Sequence, residues 1–208
     1  PTPEALAAFA DFLKADNSTS QNRELQPWLP FCEGRCAFCY FPVNCEKRNV
    51  AAYIAALKKA LGFYAKNRYV QSSVFNELYV GGGSPTVLAS HYLEDILQFC
   101  RINFNLTKDC ATKVTACTNS LSEDKIRLLS ANKVNQLDIG IQTFDDSLRK
   151  MLLLRDSGGE AKQKLKTAKK HGLRVSIDLL YNLPKQTKKQ WIESLKQALE
   201  LEVESVDC

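Results

Sequence analysis

The sequence predicts an α/β fold built on a parallel sheet, and three observations lead to this prediction. Short runs of β-branched and apolar residues alternate along the chain with longer amphipathic runs. No linker-like segment interrupts the alternation after the first residues. The 208 residues, 45% of them hydrophobic, are enough for one sizeable domain with a buried core. Strands and helices that alternate in this way form βαβ units with right-handed crossovers.

The predicted elements follow in chain order. We expect helices at 3–14, 49–66, 89–101, 122–131, 160–171 and 187–202, and strands at 74–80, 112–117, 134–142 and 174–180. Ser122 precedes two acidic residues, which is typical of a helix N-cap, and Gly172 lies where a C-terminal cap is expected. The last residues, 203–208, have the pattern of a strand that ends almost where it begins. We therefore expect that the chain is truncated before a C-terminal region.

Composition limits the classes of partner. The formal net charge is +5, and many lysines lie at 160–172, where Leu165 and Ala168 alternate with them as on the solvent side of an amphipathic helix. No aromatic residue interleaves with these lysines, so we expect no nucleic-acid partner. No apolar run approaches the roughly 20 residues of a membrane span, and the N-terminus lacks the layout of a secretory signal. We expect a cytoplasmic protein without a membrane partner.

Eight cysteines allow either a disulfide framework or a metal site with ordinary buried thiols. The spacing favours the metal site, because Cys32, Cys36 and Cys39 fall in one C-x-x-x-C-x-x-C segment, PFCEGRCAFCYF. The remaining cysteines follow no ligand pattern and are expected to be small buried hydrophobes. They are Cys45, Cys100, Cys110, Cys117 and Cys208.

Three thiolates on one loop suit an iron-sulfur cluster. Four ligands would saturate a 4Fe-4S cluster, whereas three leave one iron open to chelate a small molecule, as a catalytic zinc site keeps an open position. The alternative is a zinc knuckle with Cys45 as its fourth ligand, although Cys45 stands in an unusual relation to the other three. The sequence thus predicts a 4Fe-4S cluster on Cys32, Cys36 and Cys39 that takes part in chemistry.

A glycine loop, GGGSPT at 81–86, follows the predicted strand 74–80 directly. Glycines at a strand end let the backbone approach a ligand closely. Ligands gather at the carboxyl ends of parallel strands, so the position of this loop favours a binding site. A phosphate-binding loop is the alternative, but the Gly-Lys-Ser/Thr ending of that motif is absent.

The cysteine loop, YVGGGSPT, DIGIQTFDDSLRKM and VSIDLLYNLPKQT together resemble the radical SAM family typified by oxygen-independent coproporphyrinogen III oxidase. That group also includes heme chaperones and class C radical SAM methyltransferases. The similarity runs from about residue 24 to the end of the chain. The resemblance implies a parallel, partly open β/α barrel, truncated before the family's C-terminal substrate region. A helical lead-in would occupy 1–22 and the radical SAM core 23–208.

The resemblance also implies a chemistry. In that family the open iron binds S-adenosylmethionine (SAM), and an electron from the cluster splits SAM to a 5'-deoxyadenosyl radical that attacks an organic substrate. The implied enzyme is a coproporphyrinogen oxidase-like oxidoreductase or a radical methyltransferase, with the 4Fe-4S cluster and SAM as cofactors. Its implied partners are a small-molecule substrate, a tetrapyrrole being one candidate, and an electron donor such as flavodoxin or ferredoxin. The alternative is a heme-binding chaperone of the same family that performs no turnover.

Matching motif positions assign SAM-contacting residues by resemblance. Phe38 matches the aromatic residue before the third cysteine, and Gln142 matches the glutamine that ends the strand LDIGIQ. Asp178 matches a carboxylate placed to bind hydroxyls, and Arg155 an arginine whose fork suits the methionyl carboxylate. The Gly-Gly-Thr portion of the family's glycine loop is matched by Gly82, Gly83 and Ser84. As structural alternatives, Gln142 and Asp178 would cap strand ends, Arg155 would be a surface residue and Phe38 a core residue.

The chain departs from the family pattern at four positions. Gln26 and Trp28 stand where the family has a tyrosine and usually a histidine, and Thr115 stands where it has a glutamate. Phe41 replaces the cysteine that follows the motif in the typical oxidase. The tyrosine and the glutamate contact SAM in the family, so we expect weakened but not absent SAM binding. The departures leave coproporphyrinogen oxidation itself unassigned.

Overall fold

A computed structural model describes residues 1–19 and 22–208. Within these residues seven strands form one sheet in the order β1-β3-β4-β5-β6-β7, with β2 also paired to β3, and every pairing is parallel. The prediction of an α/β fold with a parallel sheet is confirmed. The strands are β1 (Glu24–Leu25), β2 (Trp28–Leu29), β3 (Phe75–Gly82), β4 (Leu106–Ala116), β5 (Gln136–Gln142), β6 (Arg174–Leu179) and β7 (Ser205–Asp207).

The helices of the described residues lie before and between these strands. They are α1 (Pro3–Phe12), α2 (Val50–Tyr64), α3 (Arg68–Gln71), α4 (Ser90–Asn103), α5 (Glu123–Ala131), α6 (Asp146–Met151), α7 (Gly158–Lys170) and α8 (Lys188–Glu200). Each predicted helix and strand is present, although β4 begins well before the predicted residue 112. The helices α3 and α6 were not predicted, because they are too short to develop a helical period.

The caps and the amphipathic pattern also behave as predicted. The Ser122 hydroxyl accepts the backbone N–H of Lys125 at the start of α5. Gly172 follows α7 with a φ of +79°, a left-handed conformation that favours glycine. Leu165 and Ala168 of α7 are fully buried, whereas Lys166 between them and Lys170 at the helix end are exposed on the outer face.

β1 and β2 are two pieces of one interrupted edge strand. Glu24 of β1 is in register with Glu77, and Trp28 of β2 with Gly81, so both pieces follow β3 without a change of offset. Pro27 lies between them and has no N–H to donate to a sheet ladder. The interrupted strand leads directly into the cysteine loop, which therefore begins beside the end of β3.

The sheet separates an apolar face from a polar one. Leu78, Val114 and Ile139 belong to the fully buried core that the helices cover. The opposite face carries polar side chains, and Tyr79 of β3 lies within electrostatic range of Asp178 of β6 although two strands separate them. The sheet therefore curves around its polar face. Since β7 and the β1/β2 edge end the path of paired strands, the described residues form a partly open barrel, as predicted.

The five cysteines outside the motif fall into two groups, and all of them are free thiols. Cys100 and Cys110 are buried, as predicted. The same prediction is wrong for Cys45 and Cys117, which are half-buried, and for Cys208, which is exposed. Cys45 and Cys117 lie in loops beyond strand ends, and Cys208 follows the edge strand β7, so none of the three reaches the packed core.

No helix within the described ranges has the length and apolar character needed to cross a membrane.

Candidate functional site

The cysteine loop is closed by its own backbone. Phe31 and Asn44 form an isolated parallel bridge, and the N–H of Cys32 donates to the Asn44 carbonyl at 3.2 Å. Inside the loop the guanidinium of Arg35 donates to the Cys39 carbonyl at 3.1 Å. These contacts fix the path of the chain around the three cysteines, which are free and half-buried.

Loops that follow four neighbouring strands meet in one cavity at the carboxyl edge of the sheet. The cysteine loop follows β2, the glycine loop β3 and a short 3₁₀ turn β4, while the segment after α6 leads on from β5. This convergence is the usual location of ligands in parallel α/β proteins. The cavity walls include Cys32, Cys36, Ser84, Cys117, Arg155 and Asp156.

The glycine loop supports the cysteine loop. Gly82 has a φ of +116°, and a Cβ added there would lie 2.8 Å from the carbonyl oxygen of Leu29. A Cβ on Gly83 would lie 2.9 Å from the Sγ of Cys32. These two glycines thus permit close packing against β2 and the cysteine loop, a reason for glycine that differs from the predicted approach to a ligand. Ser84 is the residue of this segment that reaches the cavity wall.

The environment of the motif cysteines disfavours a free thiolate. Burial raises the pKa of Cys32 to about 11, and hydrogen bonds from Ser84 oppose this shift without cancelling it. Burial also raises the pKa of Cys36, as does the charge of Cys39. At neutral pH such thiols ionise only when a bound cation compensates the charge. Metal binding at these sulfurs would supply that compensation.

The donor arrangement fits a cluster better than a single ion. Among residues 1–19 and 22–208, no three His, Cys, Asp or Glu side chains come together as ligands for one metal ion. A zinc knuckle that includes Cys45 is therefore not preformed. A 4Fe-4S cluster requires a different ligand arrangement, because each protein thiolate binds a separate iron. The closed loop provides this arrangement with three free, half-buried thiols. Two of these thiols lie on the cavity wall.

Arg155 crosses the cysteine loop. Its Nη2 donates to the Glu33 carbonyl at 3.0 Å, and a Cβ on Gly34 would lie 2.8 Å from the same nitrogen. The neighbouring Asp156 also lines the cavity, and its Oδ2 is buried with no hydrogen-bond partner in the part of the chain that the structure describes. The wall therefore carries a cationic fork next to a carboxylate whose Oδ2 is buried and unpaired among the described residues.

Gln142 is buried at the end of β5 in a strained conformation. Its φ is +65°, and a β-bulge shifts the register between Gly140 and Gln142. A Cβ on Gly140 would lie 2.7 Å from the Nε2 of Gln142, so the amide folds back over a glycine of the cavity wall. This places the amide beside the cavity.

Two more of the predicted SAM residues, Phe38 and Asp178, are not among the residues of this wall, although a Cβ on Gly140 would also lie 3.9 Å from the Oδ2 of Asp178. Phe38 is 38% exposed on the cysteine loop, and Asp178 lies on the polar face of β6. Partial burial, together with the charges of Asp207 and Asp138, raises the pKa of Asp178.

Three of the four departures from the family pattern have structural partners. The ring of Trp28 packs on that of Phe41 with centroids 5.6 Å apart. The Oγ1 of Thr115 is 2.8 Å from the hydroxyl of Tyr79. Gln26, by contrast, is exposed on the interruption between β1 and β2.

The sequence analysis missed several residues of the cavity wall, Cys117 and Asp156 among them. Cys117 ends the predicted strand 112–117, so its position at a strand's carboxyl end could have indicated a site residue. Asp156 directly follows the motif arginine Arg155, but nothing in the sequence distinguishes it from a surface carboxylate.

The model of the Radical SAM superfamily matches residues 27–198. The chain therefore belongs to the Radical SAM superfamily. It is 29% identical over 195 residues to anaerobilin synthase of Escherichia coli O157:H7, an alignment of 92% of this chain and 44% of that protein. It is 28% identical over 180 residues to the heme chaperone HemW of Lactococcus lactis, with 86% and 46% covered.

The fold matches that of a solved member. The structure of the radical SAM enzyme coproporphyrinogen III oxidase (HemN) from Escherichia coli superposes with a TM-score of 0.85 at 24% identity. That alignment covers 97% of this chain and 47% of the other. The chain thus spans less than half the length of the relatives described here.

Proposed function

We propose that the chain binds a 4Fe-4S cluster through Cys32, Cys36 and Cys39 and cleaves SAM reductively beside it. The observation that carries this proposal is the single cavity in which two of these cysteines meet Ser84 and Arg155. When bound, the cluster supplies the electron that splits SAM into methionine and a 5'-deoxyadenosyl radical. The remaining steps depend on what the chain's own side chains hold in place.

Different side chains around the cavity would bind different groups of SAM. Arg155 would bind the methionyl carboxylate through its fork, and Asp156 would accept a hydrogen bond from a donor on the ligand through its free Oδ2. The Ser84 hydroxyl and the Gln142 amide would complete the polar contacts. Further along the polar face, Asp178 would bind hydroxyls of the ribose.

Two other predicted contacts shape the site. Phe38 would lie against bound SAM from the cysteine loop. Gly82 and Gly83 hold that loop close to the glycine segment, which sets the distance between the cluster and Ser84.

The substrate is an organic molecule, with a tetrapyrrole as the leading candidate. The names of anaerobilin synthase and coproporphyrinogen III oxidase support this choice. The reaction would be an oxidation or a methyl transfer, with electrons from a donor such as flavodoxin or ferredoxin. We place this chemistry in the cytoplasm.

The test is anaerobic reconstitution with iron and sulfide, followed by SAM and dithionite. We expect about four irons per chain, and slow formation of 5'-deoxyadenosine detected by mass spectrometry. Cys36→Ala should lose both the cluster and the nucleoside product. Cys100→Ala, a change in the buried core at α4, is the matched control and should retain both. Full iron retention in Cys36→Ala would overturn the assignment.

The alternative is a heme-binding chaperone of the same family. The similarity to HemW supports it, as does Thr115 in place of the family's glutamate. In this case the cluster-loaded chain would bind heme and yield no 5'-deoxyadenosine. Product formation that depends on SAM, reductant and cluster would exclude it.

A further inference from the structure

Arg149 is a buried cation that the proposed chemistry does not use. It lies on α6 with only 2% of its surface exposed. Each of the three guanidinium nitrogens nevertheless has a hydrogen-bond partner. Nη1 donates to the carbonyls of Ile141 and Thr143, both at 2.9 Å, and Nε donates to the Asp156 carbonyl at 2.9 Å. Nη2 forms an ion pair with the carboxylate of Asp156.

The two contacts of the Arg149 Nη1 lie on either side of Gln142 in the chain. The carbonyls of Ile141 and Thr143 belong to the residues on either side of it, and one nitrogen of Arg149 holds both. A residue other than glycine with a φ of +65° persists only where its surroundings hold it. Arg149 therefore fixes the strained turn that folds the Gln142 amide over Gly140 and the cavity.

The other two contacts are with Asp156, which lines the cavity. Because Asp156 Oδ1 is engaged by Arg149, its Oδ2 is left as a buried acceptor with no partner in the described ranges. The same segment is anchored further on, where the N–H of Gly158 donates to Asp146 Oδ1 at 2.7 Å. One guanidinium thus links the end of β5 to the segment that carries Arg155.

We propose that Arg149 is a positioning residue of the SAM site, holding the Gln142 amide and the Asp156 carboxylate where SAM would meet them. This inference rests on the proposed function, because it presumes that SAM occupies the cavity. Arg149 itself would not touch SAM. Its role depends on the planar fork, since a lysine keeps the charge but cannot reach all four acceptors from one ammonium group.

The experiment compares Arg149→Lys with Arg101→Lys. Arg101 also bridges separate segments, since its Nη2 donates to Thr112 Oγ1 at 3.0 Å and to the Asn132 carbonyl at 3.1 Å, but at the amino edge of the sheet. Iron per chain and the titration of the reduced cluster's EPR signal with SAM are measured for both. We expect unchanged iron in both variants and about 10- to 100-fold weaker SAM binding in Arg149→Lys alone.

A double-mutant cycle separates positioning from general destabilisation. If Arg149 acts partly through Gln142, Arg149→Lys should weaken SAM binding by a smaller factor in a Gln142→Gly background than in the unmodified chain. Losses that simply multiply would contradict a role through Gln142. Should Arg149→Lys fail to hold iron, Asp156→Asn replaces it in the comparison. This substitution leaves the backbone contact intact, and unweakened SAM binding in it would then overturn the inference.

Failure of the proposed function has a different signature. An unmodified chain that holds about four irons but shows no EPR response to SAM would overturn the proposed function and this inference together. If the EPR signal of the unmodified chain responds to SAM and that of Arg149→Lys responds equally, this inference alone would be overturned.

Discussion

Gly83 lies directly against Cys32. A Cβ on Gly83 would come within 2.9 Å of the Cys32 Sγ and 2.5 Å of the Phe31 carbonyl oxygen. The second contact is with backbone, which cannot move aside as a flexible side chain can. The glycine loop and the cysteine loop are therefore one structural unit, although about 50 residues separate them in the chain.

This contact predicts that Gly83→Ala loses most of its iron. The added methyl group must displace the loop at Cys32, and a misplaced ligand weakens the hold on the cluster. Iron per chain after anaerobic reconstitution is the measurement, with circular dichroism to confirm folding. Gly159→Ala is the matched control, since the nearest atom to its Cβ would be the Ser157 hydroxyl at 3.8 Å. A full iron content in Gly83→Ala would contradict the prediction.

The helices and strands were predicted well because the hydrophobic periodicity that marks each of them lies within a short segment of the chain. Alternating apolar residues mark β5 and β6, and the spacing of Leu165 and Ala168 marks α7. The cysteine motif is also local, so its three thiols were identified without a fold. α6 was missed because six residues are too few for a pattern.

The missed parts of the site depend on contacts between distant segments. In sequence, Arg149 resembles a surface residue of a charged stretch. It is buried only because of the bulge at Gln142 and the path of residues 152–157. Cys117 resembles a core thiol in sequence, and it reaches the wall that carries Cys32 because it follows β4 at the carboxyl edge of the sheet. The reason for Gly83 was likewise assigned to a ligand, because the loop that packs on it is distant in sequence.

Cys117→Ala should keep the cluster. The Cys117 Sγ lies 3.0 Å from the Ser120 hydroxyl, within a short chain of hydroxyl contacts that continues to Thr86. Its thiol is thus already engaged, although it lines the same cavity as Cys32. We expect about four irons per chain and an unchanged visible spectrum. Loss of iron, or a changed EPR signal without SAM, would instead identify Cys117 as a fourth ligand.

Asp178→Asn should stabilise the chain at neutral pH. The pKa of Asp178 is raised in the folded state, so the ionised carboxylate opposes folding. This cost is absent below the ordinary value of 3.8 and grows as the pH rises through the folded-state pKa. Urea unfolding of both proteins should show a difference in the free energy of unfolding that is largest near neutral pH and disappears on acidification.

Glu160 provides the control with the opposite sign. Hydrogen bonds from Ser157 lower its pKa, so its ionisation favours folding above the ordinary value of 4.5. Glu160→Gln should therefore remove stability at neutral pH, and this loss should shrink on acidification. If Asp178→Asn instead lowered the free energy of unfolding at neutral pH, as Glu160→Gln should, the assignment of Asp178 to a desolvated, acidic face would be wrong.

Under the proposed function, Thr115→Glu should supply the SAM contact that the resemblance implies at this position. Thr115 lies beside Tyr79, whose hydroxyl is 2.8 Å away and could donate to a new carboxylate. Thr115 is also in register with Asp138, whose pKa is already raised by burial, so the added charge meets repulsion. A hydrogen bond to a charged group is worth about 1.5 to 3 kcal/mol, which is about ten- to a hundredfold in affinity. We expect the gain to exceed the repulsion, because the Tyr79 donor is adjacent and the polar face is open.

The measurement is the SAM titration of the reduced cluster, with Thr115→Gln as the control. Glutamine has nearly the same shape without the charge, so it should change SAM affinity far less than glutamate. Tighter binding in Thr115→Glu alone indicates a pocket that keeps the family's shape. Loss of the SAM response with iron intact would mean that the pocket is rebuilt around the Thr115 and Tyr79 pair. In that case a different use of SAM, or the chaperone function, becomes the better explanation of the cysteine loop, since the site would then tolerate no carboxylate at position 115.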